Sequence, residues 1–243
     1  MNGEKGWTID DIMKRRIKVM LTSRGVATDQ TGKGELVVDN GYQVKRIDPY
    51  ESVMWYGLTF DALELTECFD RYNRSLCQLG LSPKRPEEVI VGLISERYLC
   101  VGIEKDRFDA VFSMFCTGFI FRAIEQNEYL RPEKRVQMYY DRYLHWEGVE
   151  RSPRLTDPLT EDEKKVMAML AAENWSAAEL VRNFVKGFDT SMKRIQVPRE
   201  KFPILSMDPD EDLVRLNYER NPMARSMAKI LLNLLRSRKI LLY

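Results

Sequence analysis

The chain carries one histidine and four cysteines, and their placement narrows the available chemistry. His145 lies in the run Tyr-Leu-His-Trp-Glu-Gly, at the end of an expected helix. A cation there complements the helix dipole and needs no catalytic role. A Ser-His or Cys-His nucleophile would have to use this one residue, and no flanking signature supports either. Zinc would have to combine His145 with three of the scattered cysteines Cys68, Cys77, Cys100 and Cys116, none of which forms the close ligand pair that zinc sites show. The cysteines therefore read as buried, reduced thiols in apolar helical stretches. The acids Asp208, Asp210, Glu211 and Asp212 offer oxygen ligands for Mg²⁺ or Ca²⁺. They lack the glycine and distal glutamate of a calcium loop, and they fall where a helix begins, so capping explains them. The turn Thr31-Gly-Lys-Gly34 leads into a strand rather than a helix, so it is no phosphate-binding loop. No cofactor and no small-molecule substrate follow from these residues.

What remains is basic charge placed on helices. At about 100° per residue, Arg225, Lys229 and Arg236 share one arc of the last helix. Met223, Met227, Ile230, Leu231 and Leu234 lie opposite, and Leu232 falls inside the basic arc as an expected exposed contact. From Leu213 to Tyr243 there are seven basic residues against one acid, Glu219. Near the N-terminus, Lys14, Arg15 and Lys18 share a polar face opposite Ile9, Ile12, Met13, Ile17, Met20 and Leu21. In the middle of the chain, Lys134, Arg135 and Arg142 interleave with Tyr139 and Tyr143, although Glu133, Asp141, Glu147 and Glu150 dilute them. Cations for phosphate with aromatic rings for bases are what single-stranded RNA requires. The formal net charge is only +1, so any such contact must be local.

The elements that position these residues are legible from their punctuation. Thr8 caps an expected helix over residues 9–22, stopped by Gly25, and a mobile loop follows over 26–34. One β-hairpin is expected near 35–47, because Asn40-Gly41 between alternating runs supplies the positive φ of a tight turn. Further helices are expected from Thr59 to Gly80, from Pro86 to near Gly102 and from Phe108 to Glu128, the last apolar nearly all round. Another runs from Pro132 to Trp146. Capping boxes at Thr160/Glu163 and Ser176/Glu179 open two more. Asp208-Pro209 and Asn221-Pro222 start the final two, the last running to about Lys239.

The expectation is a mainly all-α protein of about nine to ten helices in one or two packed lobes, with one small hairpin. The expected organisation is an N-terminal helix, loop and hairpin over 1–50, a helical lobe over 51–149, a linker over 150–159 and a second helical lobe over 160–243. The first residues lack the apolar stretch of a signal peptide, and the apolar run from Phe108 to Ile124 falls short of the about 20 residues a membrane span needs. An intracellular location in cytoplasm or nucleus is therefore expected.

Three function classes fit. The first is a non-enzymatic structural protein that self-assembles into a homo-oligomer and binds single-stranded RNA, built like a nucleocapsid protein of an RNA virus by architectural analogy alone. The second is a matrix-type scaffold whose basic helices meet an acidic protein or an anionic membrane surface. The third, with least support, is a carboxylate- and metal-dependent enzyme.

Overall fold

A computed structural model describes residues 17–30, 36–117, 119–122, 158–172, 175–186, 222–237 and 239–242. Among these residues the fold is mixed α/β, not all-α. Seven helices stand beside nine strands in three three-stranded antiparallel sheets.

The first sheet is built on β1 (Lys18–Ser23), which pairs with β5 (Leu63–Glu64) on one side and β6 (Leu99–Glu104) on the other. The second is the meander β2 (Val26–Gln30), β3 (Leu36–Asp39) and β4 (Val44–Ile47). The third places β7 (Phe119–Arg122) between β8 (Trp175–Ser176) and β9 (Ile240–Leu242). The helices are α1 (Pro49–Gly57), α2 (Leu65–Gln78), α3 (Pro86–Ser95) and α4 (Arg107–Phe115), followed by α5 (Glu161–Ala172), α6 (Ala177–Lys186) and α7 (Pro222–Arg236).

Two of the missed strands, β1 and β6, share one physical cause. β1 lies between two cores. Met20 joins a core formed with α4, α5, α6, α7 and β9, whereas Leu21 joins one formed with β3, α1, α2 and α3. In β6, Cys100 and Leu99 divide in the same way. A strand buried on both faces loses its apolar/polar alternation and reads as a continuous apolar run, which periodicity alone cannot tell from helix. The expected helix over 9–22 is therefore overturned from Lys18 onward, and the expected loop over 26–34 holds β2. The helix expected to reach Gly102 ends at Ser95 and gives way to β6. Gly102 sits in that strand because α4 passes over it. A Cβ there would lie 1.9 Å from the Ala110 carbonyl oxygen. The helix expected from Phe108 to Glu128 stops at Phe115, where the Thr117 hydroxyl donates to the Met114 carbonyl at 2.7 Å, and β7 follows. The last helix ends at Arg236, ahead of β9.

Local capping chemistry is observed where it was expected. The Thr160 and Glu163 backbone N–H groups each donate to the other residue's side-chain oxygen, at 2.8 and 3.2 Å. Ser176 and Glu179 do so at 2.8 and 3.3 Å. Asp48 and Glu51 form a third such box, opening α1, an element the sequence reading passed over. The helix expected from Thr59 begins at Leu65, because Phe60 at φ 61° and the short strand β5 precede it. Its stop at Gly80, with φ +66°, is as expected. The cysteines divide. Cys68 and Cys100 are buried, and burial pushes the Cys68 thiol up to about 12. Cys116 is half-buried and Cys77 is exposed, so not every thiol is a core group, and Cys100 lies in a strand. No helix among the described residues is long and apolar enough to cross a membrane.

Candidate functional site

The expected hairpin is present, with Asp39 opposite Val44 and a four-residue loop, Asn40 to Gln43, between them. Of the loop residues only Gly41, at φ 82°, takes the left-handed conformation, so this is not the two-residue turn that Asn-Gly suggests. Asn40 works through its side chain instead. It is fully buried. Its Oδ1 accepts the backbone N–H groups of Tyr42 and Gln43, each at 3.0 Å. Its Nδ2 donates to the carbonyls of Glu96 and Arg97 at 3.0 and 3.2 Å. Gln43 Nε2 reaches the same Glu96 carbonyl at 3.3 Å, and Lys45 pairs with the Glu96 carboxylate. The loop is thereby fastened to the end of α3, and the Tyr42 ring is left 51% exposed at its tip.

Arg97 occupies the residue after the α3 cap, at φ 63°. The Tyr98 N–H closes back on the Leu93 carbonyl at 2.7 Å, and the Arg97 N–H on Ile94 at 3.0 Å. Helices usually put glycine at this left-handed position, because a Cβ is disfavoured there. The Arg97 guanidinium instead lies 4.5 Å from the Tyr42 ring centroid.

A second arginine arrives from the bend between β1 and β2. The Arg24 N–H donates to the Tyr98 carbonyl at 2.9 Å, and its own carbonyl accepts Trp55 Nε1 at 3.0 Å. Gly25 next to it takes φ +96°, and a Cβ there would fall 2.3 Å from the Asp39 carbonyl oxygen. The bend and the hairpin tip can be this close only with glycine. Arg24 is buried, with 5% of the residue exposed. Its guanidinium lies 4.8 Å from the same Tyr42 centroid and donates from Nη1 to the Thr117 carbonyl at 3.4 Å, while its buried Nε has no partner. Burial pushes the nearby Cys100 thiol up, against the opposing pull of Arg24 and Thr117, so the thiol stays neutral and offers Arg24 no countercharge. Among the described residues neither Arg24 nor Arg97 forms an ion pair.

The basic residues singled out from sequence are placed differently. Arg225 forms a two-pronged pair with Asp109 of α4, at 2.8 and 2.9 Å. Arg236 bonds Asp61 at 2.9 Å, and Arg71 reaches the same carboxylate at 3.6 Å. Lys229 lies 4.9 Å from the Phe108 ring centroid, and Lys18 pairs with Glu64 at 2.8 Å. The arc on α7 is thus a packing surface, holding the helix to α4 and to the segment before β5. Leu232, expected to be exposed, is 5% exposed and belongs to the core. Lys14, Arg15, Lys134, Arg135, Tyr139, Arg142, Tyr143, His145 and the acids from Asp208 to Asp212 lie outside the described residues. Among the described residues no group of three His, Cys, Asp or Glu side chains could hold a metal ion.

Sequence reasoning did not find Arg24, Tyr42 and Arg97 as a set. Asn40-Gly41 marks a hairpin and so places Tyr42 near a tip, but nothing local joins it to two arginines from remote parts of the chain. No family model, curated protein or solved structure matches this chain.

Proposed function

We propose that this chain is a non-enzymatic, self-assembling structural protein that binds single-stranded RNA, with the Tyr42 tip as one contact point. One observation supports this most directly: an exposed aromatic ring has two guanidinium groups against it, and among the described residues no carboxylate pairs with either. Single strands are held by cations along the backbone and by aromatic faces under the bases, and binding is commonly cooperative along the strand. The same residue types recur in Lys134, Arg135, Tyr139, Arg142 and Tyr143, which supply the second contact in this proposal. Arg225 and Arg236 drop out of the binding set, because their charge is already met by Asp109 and Asp61.

Fluorescence anisotropy with a labelled oligouridylate tests the proposal. The affinity should fall steeply as salt is raised, since phosphate contacts release counterions. Tyr42→Ala and the triple change of Lys134, Arg135 and Arg142 to alanine should each weaken binding about tenfold, whereas Arg225→Ala should leave it unchanged. Large assemblies with excess absorbance at 260 nm on size exclusion would agree. Binding indifferent to salt and to both sets of changes would overturn it. So would attachment to anionic vesicles with no affinity for RNA, which favours the scaffold reading.

A further inference from the structure

We infer that Arg24 and Arg97 form a binding site for a phosphate dianion, either inorganic phosphate or a terminal phosphate monoester. The inference concerns the same tip, but it does not require that the chain bind RNA.

A guanidinium is charged at every accessible pH and has five N–H donors in a fixed fork. Arg24 as a residue is 5% exposed, yet among the described residues only Nη1 meets an acceptor, at a long 3.4 Å, and Nε is buried without a partner. The Tyr42 ring at 4.8 Å offsets part of the charge through its quadrupole, but it accepts none of the in-plane hydrogen bonds. Burying a charge without a counterion is among the costliest arrangements a fold can keep.

Arg97 adds independent weight. Its backbone sits where glycine is least strained, so the position is poorly suited to arginine unless the side chain is needed. Asn40 holds that backbone in place through the carbonyls on either side of the Arg97 peptide N–H. The outcome is a second guanidinium on the same ring, again with no carboxylate partner among the described residues. Two positive charges on one ring, one of them with a buried, unused donor, match a dianion with several oxygens better than a single carboxylate. Arginine recognises phosphate through this forked geometry.

The test is thermal unfolding of the full chain in inorganic phosphate against sodium chloride at equal ionic strength. Phosphate should raise the midpoint in a saturable way, as any ligand of the native state does. Arg97→Gly relieves the backbone, so it should fold at least as well as the parent without phosphate, yet its apparent phosphate affinity should fall about tenfold. Arg24→Met should abolish the phosphate response. If that variant does not fold, Arg97→Gly decides alone. Competition with 5′-phosphorylated and 5′-hydroxyl oligoribonucleotides separates the two sources. Displacement of phosphate by the phosphorylated strand alone points to an RNA end, and displacement by neither points to the free ion. A phosphate response no greater than that of chloride, or one that Arg97→Gly leaves intact, overturns the inference. A positive phosphate response with no RNA binding would remove the RNA proposal and leave this site standing.

Discussion

The tip around Tyr42 and the outer face of α7 both present basic side chains, yet they spend that charge in opposite ways. On α7, Arg225 and Arg236 meet acids from remote parts of the chain, Asp109 and Asp61. At the tip, Arg24 and Arg97 meet each other's aromatic neighbour and no acid among the described residues. α7 had the stronger sequence signal, with its basic residues on one arc of an amphipathic helix. The tip had almost none. A basic arc reports where cations sit on a helix, not whether the fold delivers carboxylates to them. That second fact depends on tertiary contacts, and it separates a packing surface from a charged site.

The contrast predicts that the tip is held mainly by backbone geometry and the neutral hydrogen bonds of Asn40, with the Lys45–Glu96 pair beside them, and the α7 face by ion pairs. The largest effect should come from Gly25→Ala, which drives a Cβ into the Asp39 carbonyl and Asn40 Cα and forces a positive φ on alanine. It should cost about 4 kcal/mol in urea unfolding, and lose the phosphate response as the tip shifts. A loss below about 1 kcal/mol would show that the bend is not a fixed support.

Next, Asn40→Ala removes a fully buried amide that makes four hydrogen bonds. About 3 kcal/mol is expected, with little dependence on salt, because the amide is buried and its bonds are neutral. Asp61→Ala should cost about 2 kcal/mol, since Arg236 and Arg71 both lose their shared carboxylate and the Ala62 N–H loses its 2.8 Å acceptor. Smallest is Asp109→Ala, at about 1 kcal/mol or less, because its partner Arg225 is half exposed. That loss should shrink toward zero in 1 M salt, where the screening length is about 3 Å. If Asn40→Ala proved salt-sensitive and Asp109→Ala did not, the division between the two regions would fail.

What sequence alone made legible was local. The Thr160/Glu163 and Ser176/Glu179 boxes, the prolines opening α3 and α7, and the glycine after α2 each act within a few residues, so their signals survive without tertiary context. The hairpin was legible for the same reason, although its loop is longer than Asn-Gly implied. The strands β1, β6, β7 and β9 were not. In β1 and β6, neighbouring residues face two different cores, so the usual period-2 signal is erased. The end of α3 was hidden because Arg97 stands where a glycine would have marked it. The candidate site was hidden more deeply, since Arg24, Tyr42 and Arg97 converge only after β1, the hairpin and α3 have packed.

The third sheet has a further consequence, for the order of events during folding. β7 is made early but finds its partners only at Trp175–Ser176 and Ile240–Leu242, and the Leu242 carbonyl then accepts the Gly25 N–H at 2.8 Å. During synthesis one edge of β7 stays unpaired until β8 has emerged, and the other until β9 has. Closing contacts over so much intervening chain slows the search for the native state relative to a helical bundle of equal length. Until β9 arrives, the nascent chain carries an open β-edge, the kind of surface that chaperones shield and that neighbouring chains pair with.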